Sequence, residues 1–190
     1  MSVSAGREVE VKLALGGAGE GRRRVEAAGF SVVQPRVFEA NVLFDTSEGR
    51  LRAGASLLRV RQAGAKTLLT FKGPASYLKH KDREELEIEL SDARAATAIL
   101  DRLGFHPVFR YEKYRTEYAA AGQPGVVSLD ETPIGDFFEL EGPPAWIDAT
   151  AARLGFREAA YITASYATLY YEWCDERRLE PAHMVFAAQA

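Results

Sequence analysis

The 190 residues carry 24 lysines and arginines against 27 aspartates and glutamates, a net charge of −3, and a single cysteine. That length suits one domain with a substantial core. The charge gives no overall basic field for nucleic acid or an anionic membrane, and Cys174 alone excludes a disulfide framework or a cysteine-rich metal site. No basic stretch followed by an apolar run opens the chain, and no apolar run approaches ~20 residues, so the sequence predicts a soluble, cytoplasmic protein without membrane or nucleic-acid partners.

Within a strand predicted over 7–15, the stretch from Glu8 to Leu13 alternates charged and apolar residues, so Glu8, Glu10 and Lys12 share one face. Gly16, Gly17 and Gly19 break that period, and 20–28 reads as a short helix closed by Gly29. Its Arg22–Arg24 run fans around the helix and is expected to meet water. Residues 30–44 are β-rich, with Pro35 predicting an edge position or a bulge, and 45–49 is a turn.

Alternation resumes at 57–61, with Arg59 and Arg61 on one face, and at 66–72, with Thr70 and Lys72 together, before Gly73-Pro74 ends the strand. Residues 75–82 read as a mobile basic loop. In 83–90, Arg83, Glu85, Glu87 and Glu89 face one way and Leu86, Ile88 and Leu90 the other.

Ser91 is placed to cap a helix to Leu103 whose expected apolar stripe is Ala95, Ala98, Ile99 and Leu103. Strands follow at 107–121, carrying Lys113 and Arg115, at 126–131, carrying Asp130, and at 137–141, carrying Glu139 and Glu141. Helices are predicted over 147–154 and 163–173, the second with Tyr166, Leu169, Tyr170 and Trp173 as its packing stripe. Beyond Cys174 no pattern stands out.

Seven or eight strands joined mostly by hairpin turns predict an antiparallel sheet able to close into a barrel. The helices can bury their apolar stripes only against the outer face of that sheet, which turns the charged face inward. There Glu8, Glu10, Glu85, Glu87, Asp130, Glu139 and Glu141 meet Lys12, Arg59, Arg61, Lys72, Arg83, Lys113 and Arg115. Ions so crowded must pair or stay hydrated. Carboxylates without His or Cys suit Mg²⁺ or Mn²⁺, and the bases suit phosphate oxygens.

The strand Glu8-Val9-Glu10-Val11-Lys12 resembles the ExExK signature of the CYTH superfamily, the triphosphate tunnel metalloenzymes, a group that includes thiamine triphosphatase. In order it is joined by Leu58-Arg59-Val60-Arg61, Thr70-Phe71-Lys72-Gly73, Arg83-Glu84-Glu85-Leu86-Glu87, Arg110 to Arg115, Leu129-Asp130, Gly135 and Glu139-Leu140-Glu141. The class IV adenylate cyclase-like branch is the most similar, through Phe44-Asp45-Thr46, Gly49 to Arg52, and Asp130 to Gly135.

The resemblance implies an α+β fold: a closed eight-stranded antiparallel β-barrel, or tunnel, with a charged lumen and helices packed outside. The tunnel domain is expected over 1–175 and a C-terminal tail over 176–190. It also implies a metal site of Glu8, Glu10, Asp130, Glu139 and Glu141, phosphate contacts from Arg59, Arg61, Lys72, Arg83, Lys113 and Arg115, and Glu85 and Glu87 as supporting carboxylates. Lys12, with Glu8 and Glu10, is expected to be catalytic, Lys12 assisting proton removal if its neighbours depress its pKa. Many members carry a basic residue where Ala164 stands. The substrate is expected to be a triphosphate-bearing small molecule, the cofactor Mg²⁺ or Mn²⁺, and the protein a monomer or homodimer. Hydrolysis of the triphosphate competes with cyclisation of ATP and with a non-catalytic polyphosphate-binding role; an apolar carrier barrel does not fit the alternation.

Overall fold

A computed structural model describes residues 4–187, with side chains from residue 6 onward. Strand β1, Ser4–Leu15, leads into helix α1, Ala18–Ala27, and strand β2, Ser31–Asp45. The short helix α2, Arg50–Ala53, precedes β3, Leu57–Ala63, and β4, Lys66–Lys72. A two-residue strand β5, Ser76–Tyr77, leads to β6, Lys81–Leu90, and helix α3, Ala93–Arg102. Strands β7, His106–Ala119, β8, Val126–Thr132, and β9, Gly135–Glu141, are followed by helices α4, Pro144–Arg153, and α5, Tyr166–Arg177.

The strands run in the order β1-β9-β8-β7-β2-β3-β4-β6, and β6 pairs back onto β1, closing an eight-stranded antiparallel barrel, with β5 appended to β6. The register carries the alternation round the wall: Lys12 lies opposite Glu139, Arg115 opposite Asp130, Lys72 opposite Glu85, and Glu8 opposite Arg83. Pro35 sits inside a doubly irregular stretch between Val32 and Val37, and there β2 pairs with β7 alone because its pairing with β3 begins at Glu39, so the bulge and a local edge position are both realised.

The apolar core lies outside the barrel. Val11, Leu13, Val127, Leu129, Phe138 and Leu140 point away from the lumen and bury Val25 of α1 and Trp146, Ile147 and Ala151 of α4. Gly125 belongs to this packing: a Cβ there would stand 2.3 Å from the Trp146 ring. Helix α5 covers one end of the barrel, where the inner face turns aromatic and Phe109, Tyr111 and Phe137 meet Tyr166 and Tyr170.

Three sequence expectations need correction. Asp92, not Ser91, caps α3, accepting from the N–H groups of Arg94 and Ala95. On that helix only Leu100 is buried, against Phe44 and Val60, while Ile99 and Leu103 are 60% and 66% exposed. The helix therefore turns a different face to the sheet, its less exposed positions being Ala93, Ala96, Thr97 and Leu100. Residues 75–82 do not form a free loop: Ser76–Tyr77 pairs with β6, His80 bonds Asp148 at 2.9 Å, and Lys81 is 2% exposed inside the barrel. The tail also docks, since Met184 is fully buried and exchanges backbone hydrogen bonds with β7 through Arg110 and Glu112. Cys174 is buried in the same cluster, as a packing residue.

Candidate functional site

The lumen forms a cavity of about 300 Å³ lined by Glu8, Glu10, Lys12, Arg59, Arg61, Lys72, Lys81, Arg83, Glu85, Glu87, Lys113, Arg115, Glu139 and Glu141, among others. Glu117 and Glu141 also line a second cavity of about 530 Å³ at the far end, beside Arg7, Gly125 and Gly142. Along β7, Tyr111 and Glu117 face the lumen six residues apart, or about 20 Å, so the tunnel runs from an aromatic end under α5 to an acidic one.

Every inward strand position predicted to carry charge is brought to this lumen, with Asp130 as a special case. Glu8 accepts from Lys72 and from Arg83 Nε at 3.2 Å, while Lys72 also reaches Glu85 at 3.2 Å. Glu10 Oε1 is shared by Lys12 at 3.1 Å and Lys81 at 2.6 Å. Glu139 accepts from Lys12 at 3.1 Å and Arg115 at 2.6 Å. Each of these three carboxylates is thus already answered by cations, and Glu141 makes no ion pair among the described residues. Glu141 is exposed at the acidic end of the lumen, where the surrounding wall and the charges of Glu8 and Glu139 push its pKa upward.

Asp130 is placed differently from the expected metal ligand. It is fully buried and lines neither cavity. Oδ1 accepts from Arg115 Nε at 2.7 Å, and Oδ2 from Lys113, Arg115 Nη2 and the Tyr166 hydroxyl at 2.8, 2.7 and 2.6 Å. Both oxygens are engaged, and although burial opposes its ionisation, Arg115 and Lys113 hold its pKa below the ordinary value. Its work is to aim those two bases.

Lys12 also departs from expectation. Burial would lower its pKa, but the charges of Glu10 and Glu139 outweigh that and raise it, the reverse of what a proton acceptor requires. Lys81 is the buried lysine whose pKa is lowered, by burial and then by Lys12 and Arg83 against the pull of Glu10.

Sequence reasoning missed Lys81, Glu39, Asn41 and Tyr111. Glu39 is 3% exposed and faces Arg61 at 3.4 Å and Lys113 at 3.6 Å; Asn41 accepts from Arg61 Nε at 2.8 Å; the Tyr111 hydroxyl accepts from Arg59 at 3.2 Å. Extending each period by one step would have found them: Lys81 precedes Arg83 by two, Tyr111 precedes Lys113 by two, and Glu39 and Asn41 share parity on β2. Asp45, matched in the branch resemblance, is a structural cap, accepting from the N–H groups of Thr46, Leu51 and Arg52 around α2.

The donor set fits a hard divalent cation in kind: Glu8 and Glu10 on β1 and Glu139 and Glu141 on the adjacent β9 supply carboxylate oxygens only. As the side chains stand, no three carboxylates converge among the described residues, because ammonium groups lie between them. Those lysines hold positive charge where a metal ion would bring its own.

The CYTH domain family model matches residues 6–152. The chain belongs to the CYTH domain family. This CYTH chain is 27% identical, over 135 residues, to a Methanocaldococcus jannaschii protein named as a candidate adenylate cyclase, a match spanning 70% of this chain and 75% of that one. A Vibrio parahaemolyticus structure described as a candidate adenylate cyclase superposes with a TM-score of 0.74 at 20% identity, covering 85% and 96% of the two chains. A Hippeastrum structure, described as a candidate adenylyl cyclase with a dominant triphosphatase activity, gives 0.65 at 20% identity, covering 87% and 95%. These two likenesses carry the fold. No helix among the described residues is long and apolar enough to cross a membrane.

Proposed function

We propose that this CYTH chain is a divalent-metal-dependent enzyme that hydrolyses inorganic, nucleoside or organic triphosphates. The observation behind this reading is a closed lumen in which carboxylates and cations neutralise one another, a set of charges whose desolvation a neutral ligand would not repay. Arg59, Arg61, Lys72, Arg83, Lys113 and Arg115 bind phosphate oxygens, the arginines through their planar forks and the lysines as point charges. Lys81 joins them. Glu8, Glu10, Glu139 and Glu141 hold Mg²⁺ or Mn²⁺, which supplies charge neutralisation at the phosphoryl oxygens.

Binding is an exchange of partners. Lysines leave Glu8 and Glu10 for the phosphates, and Glu85 and Glu87 keep Lys72 and Arg59 turned toward the lumen. Lys12, held charged, serves as a fixed cation between Glu10 and Glu139 rather than as a base. Positioning and electrostatics are what phosphoryl transfer chiefly asks of a protein.

A second reading, cyclisation of ATP to cyclic AMP and pyrophosphate, is favoured by the name of the Methanocaldococcus jannaschii relative. The description of the Hippeastrum structure favours hydrolysis. Product analysis after incubation with ATP and with tripolyphosphate, each with Mg²⁺ and with Mn²⁺, separates the two. Hydrolysis predicts orthophosphate from both substrates. Cyclic AMP as the main product would replace it with the cyclase reading, and no turnover of either substrate would leave a binding module.

A further inference from the structure

Arg59 and Arg61 are held differently from the rest of the basic set. Lys113 and Arg115 rest on Asp130, and Lys72, Lys81 and Arg83 rest on Glu8 or Glu10. The short contacts of Arg59 are to neutral oxygens: Nη1 donates to the Tyr111 hydroxyl and Nη2 to Thr70 Oγ1, both at 3.2 Å, with Glu87 and Glu85 farther away at 3.7 and 4.0 Å. Arg61 likewise donates to the neutral Asn41, with Glu39 at 3.4 Å. A carboxylate partner both aims a guanidinium and cancels its charge, whereas a neutral partner only aims it. Arg59 and Arg61 are therefore aimed at short range by neutral oxygens, with carboxylates only at longer distance. One donor there is unspent, since the buried Arg59 Nε has no hydrogen-bond partner among the described residues.

Tyr111 is built to hold its end of this contact. Its ring is buried, stacked on Phe109 at 6.2 Å and close to Tyr166 at 6.3 Å, so the hydroxyl cannot follow a wandering guanidinium. We propose that Tyr111 is a positioning residue whose hydroxyl holds Arg59, beside Arg61, as an anion subsite for the phosphate chain, separate from the pair aimed by Asp130. This rests on the triphosphate reading above and adds to it the neutral residue that aims Arg59.

The hydroxyl also reports on the subsite. The charged groups facing it are Arg59 and Arg61 from β3 and Lys113 from its own strand; Glu39 of β2 lies behind Arg61 and Lys113, and α5 presents the neutral Tyr166. Burial opposes ionisation, but the three cations and the Arg59 bond outweigh it and bring Tyr111 down to about 8. A polyanion bound to those cations reverses their effect, so Tyr111 regains its proton and donates to phosphate.

Tyr111→Phe keeps the ring and removes the hydroxyl. Near-ultraviolet absorbance of wild type is expected to show a tyrosinate transition close to pH 8 that moves upward when tripolyphosphate and Mg²⁺ are added. In the variant that transition is absent, thermal unfolding shows a folded protein, and tripolyphosphate binding by calorimetry is weaker by about tenfold, the order of one hydrogen bond. Unchanged affinity, or a transition near pH 8 that persists in the variant or ignores tripolyphosphate in wild type, overturns the assignment. If wild type binds and turns over tripolyphosphate and the variant matches it, only the role of Tyr111 fails. If wild type does not bind it at all, the triphosphate reading fails as well.

Discussion

Asp130 answers two basic residues and one phenol with a single buried carboxylate, so the loss of its charge leaves Arg115 to Glu139 alone and Lys113 to the more distant Glu39. Asp130→Asn is predicted to cost about 3–5 kcal/mol in denaturant unfolding, the usual penalty for breaking a buried ion cluster from one side. The pH dependence follows the same charges. Asp130 and Glu139 are both depressed against burial, by Arg115 and Lys113 and by Lys12 and Arg115 respectively. Their contribution is complete above the ordinary carboxylate pKa of ~4 and is lost as pH falls through the lower folded values. The wild-type melting temperature should fall as pH drops below about 4, and the variant should start lower and fall less steeply there. At this scale the sequence was partly legible. Alternation turned Asp130 inward, but residue type and parity do not say which acid meets which base, and that distinction separates an aiming carboxylate from a metal ligand.

The strands were the most legible elements, because one face had to be buried and any slip of one residue would reverse it. Less legible were two segments held by partners remote in the chain. The tail joins β7 through Met184 N–H to Arg110 O at 3.0 Å and Glu112 N–H to Met184 O at 2.8 Å, bonds that leave no side-chain period to read. The segment before β6 is tied down by Lys79 to Asp148 and Glu158 at 3.1 and 2.9 Å, contacts to residues far away in sequence. If the tail is part of the fold, Met184→Ala should lower stability by about 2–4 kcal/mol in the same unfolding assay, as expected for a fully buried side chain. A change within a few tenths of a kcal/mol would mean that the tail contributes no packing.

Over the whole molecule, the barrel inverts the usual arrangement of polar and apolar faces. Its helices supply the apolar core from outside, and the interior is left to charges that answer each other until a ligand replaces them. Glu141 tests this state without the complication of a broken ion pair. It makes none among the described residues, and although its side chain is exposed at the acidic end, the surrounding wall and the charges of Glu8 and Glu139 push its pKa upward. Glu141→Gln should therefore match wild type in melting temperature near pH 4 and gain on it modestly as pH rises, water at the exposed side chain screening most of the effect. A variant at least as stable as wild type makes any loss of binding attributable to the site. The most direct measurement is calorimetric titration of tripolyphosphate into wild type with Mg²⁺, wild type with EDTA, and Glu141→Gln with Mg²⁺. The account predicts binding in wild type that requires the metal and is clearly weaker in the variant; equal affinity with EDTA, or a variant that binds as wild type does, would contradict it.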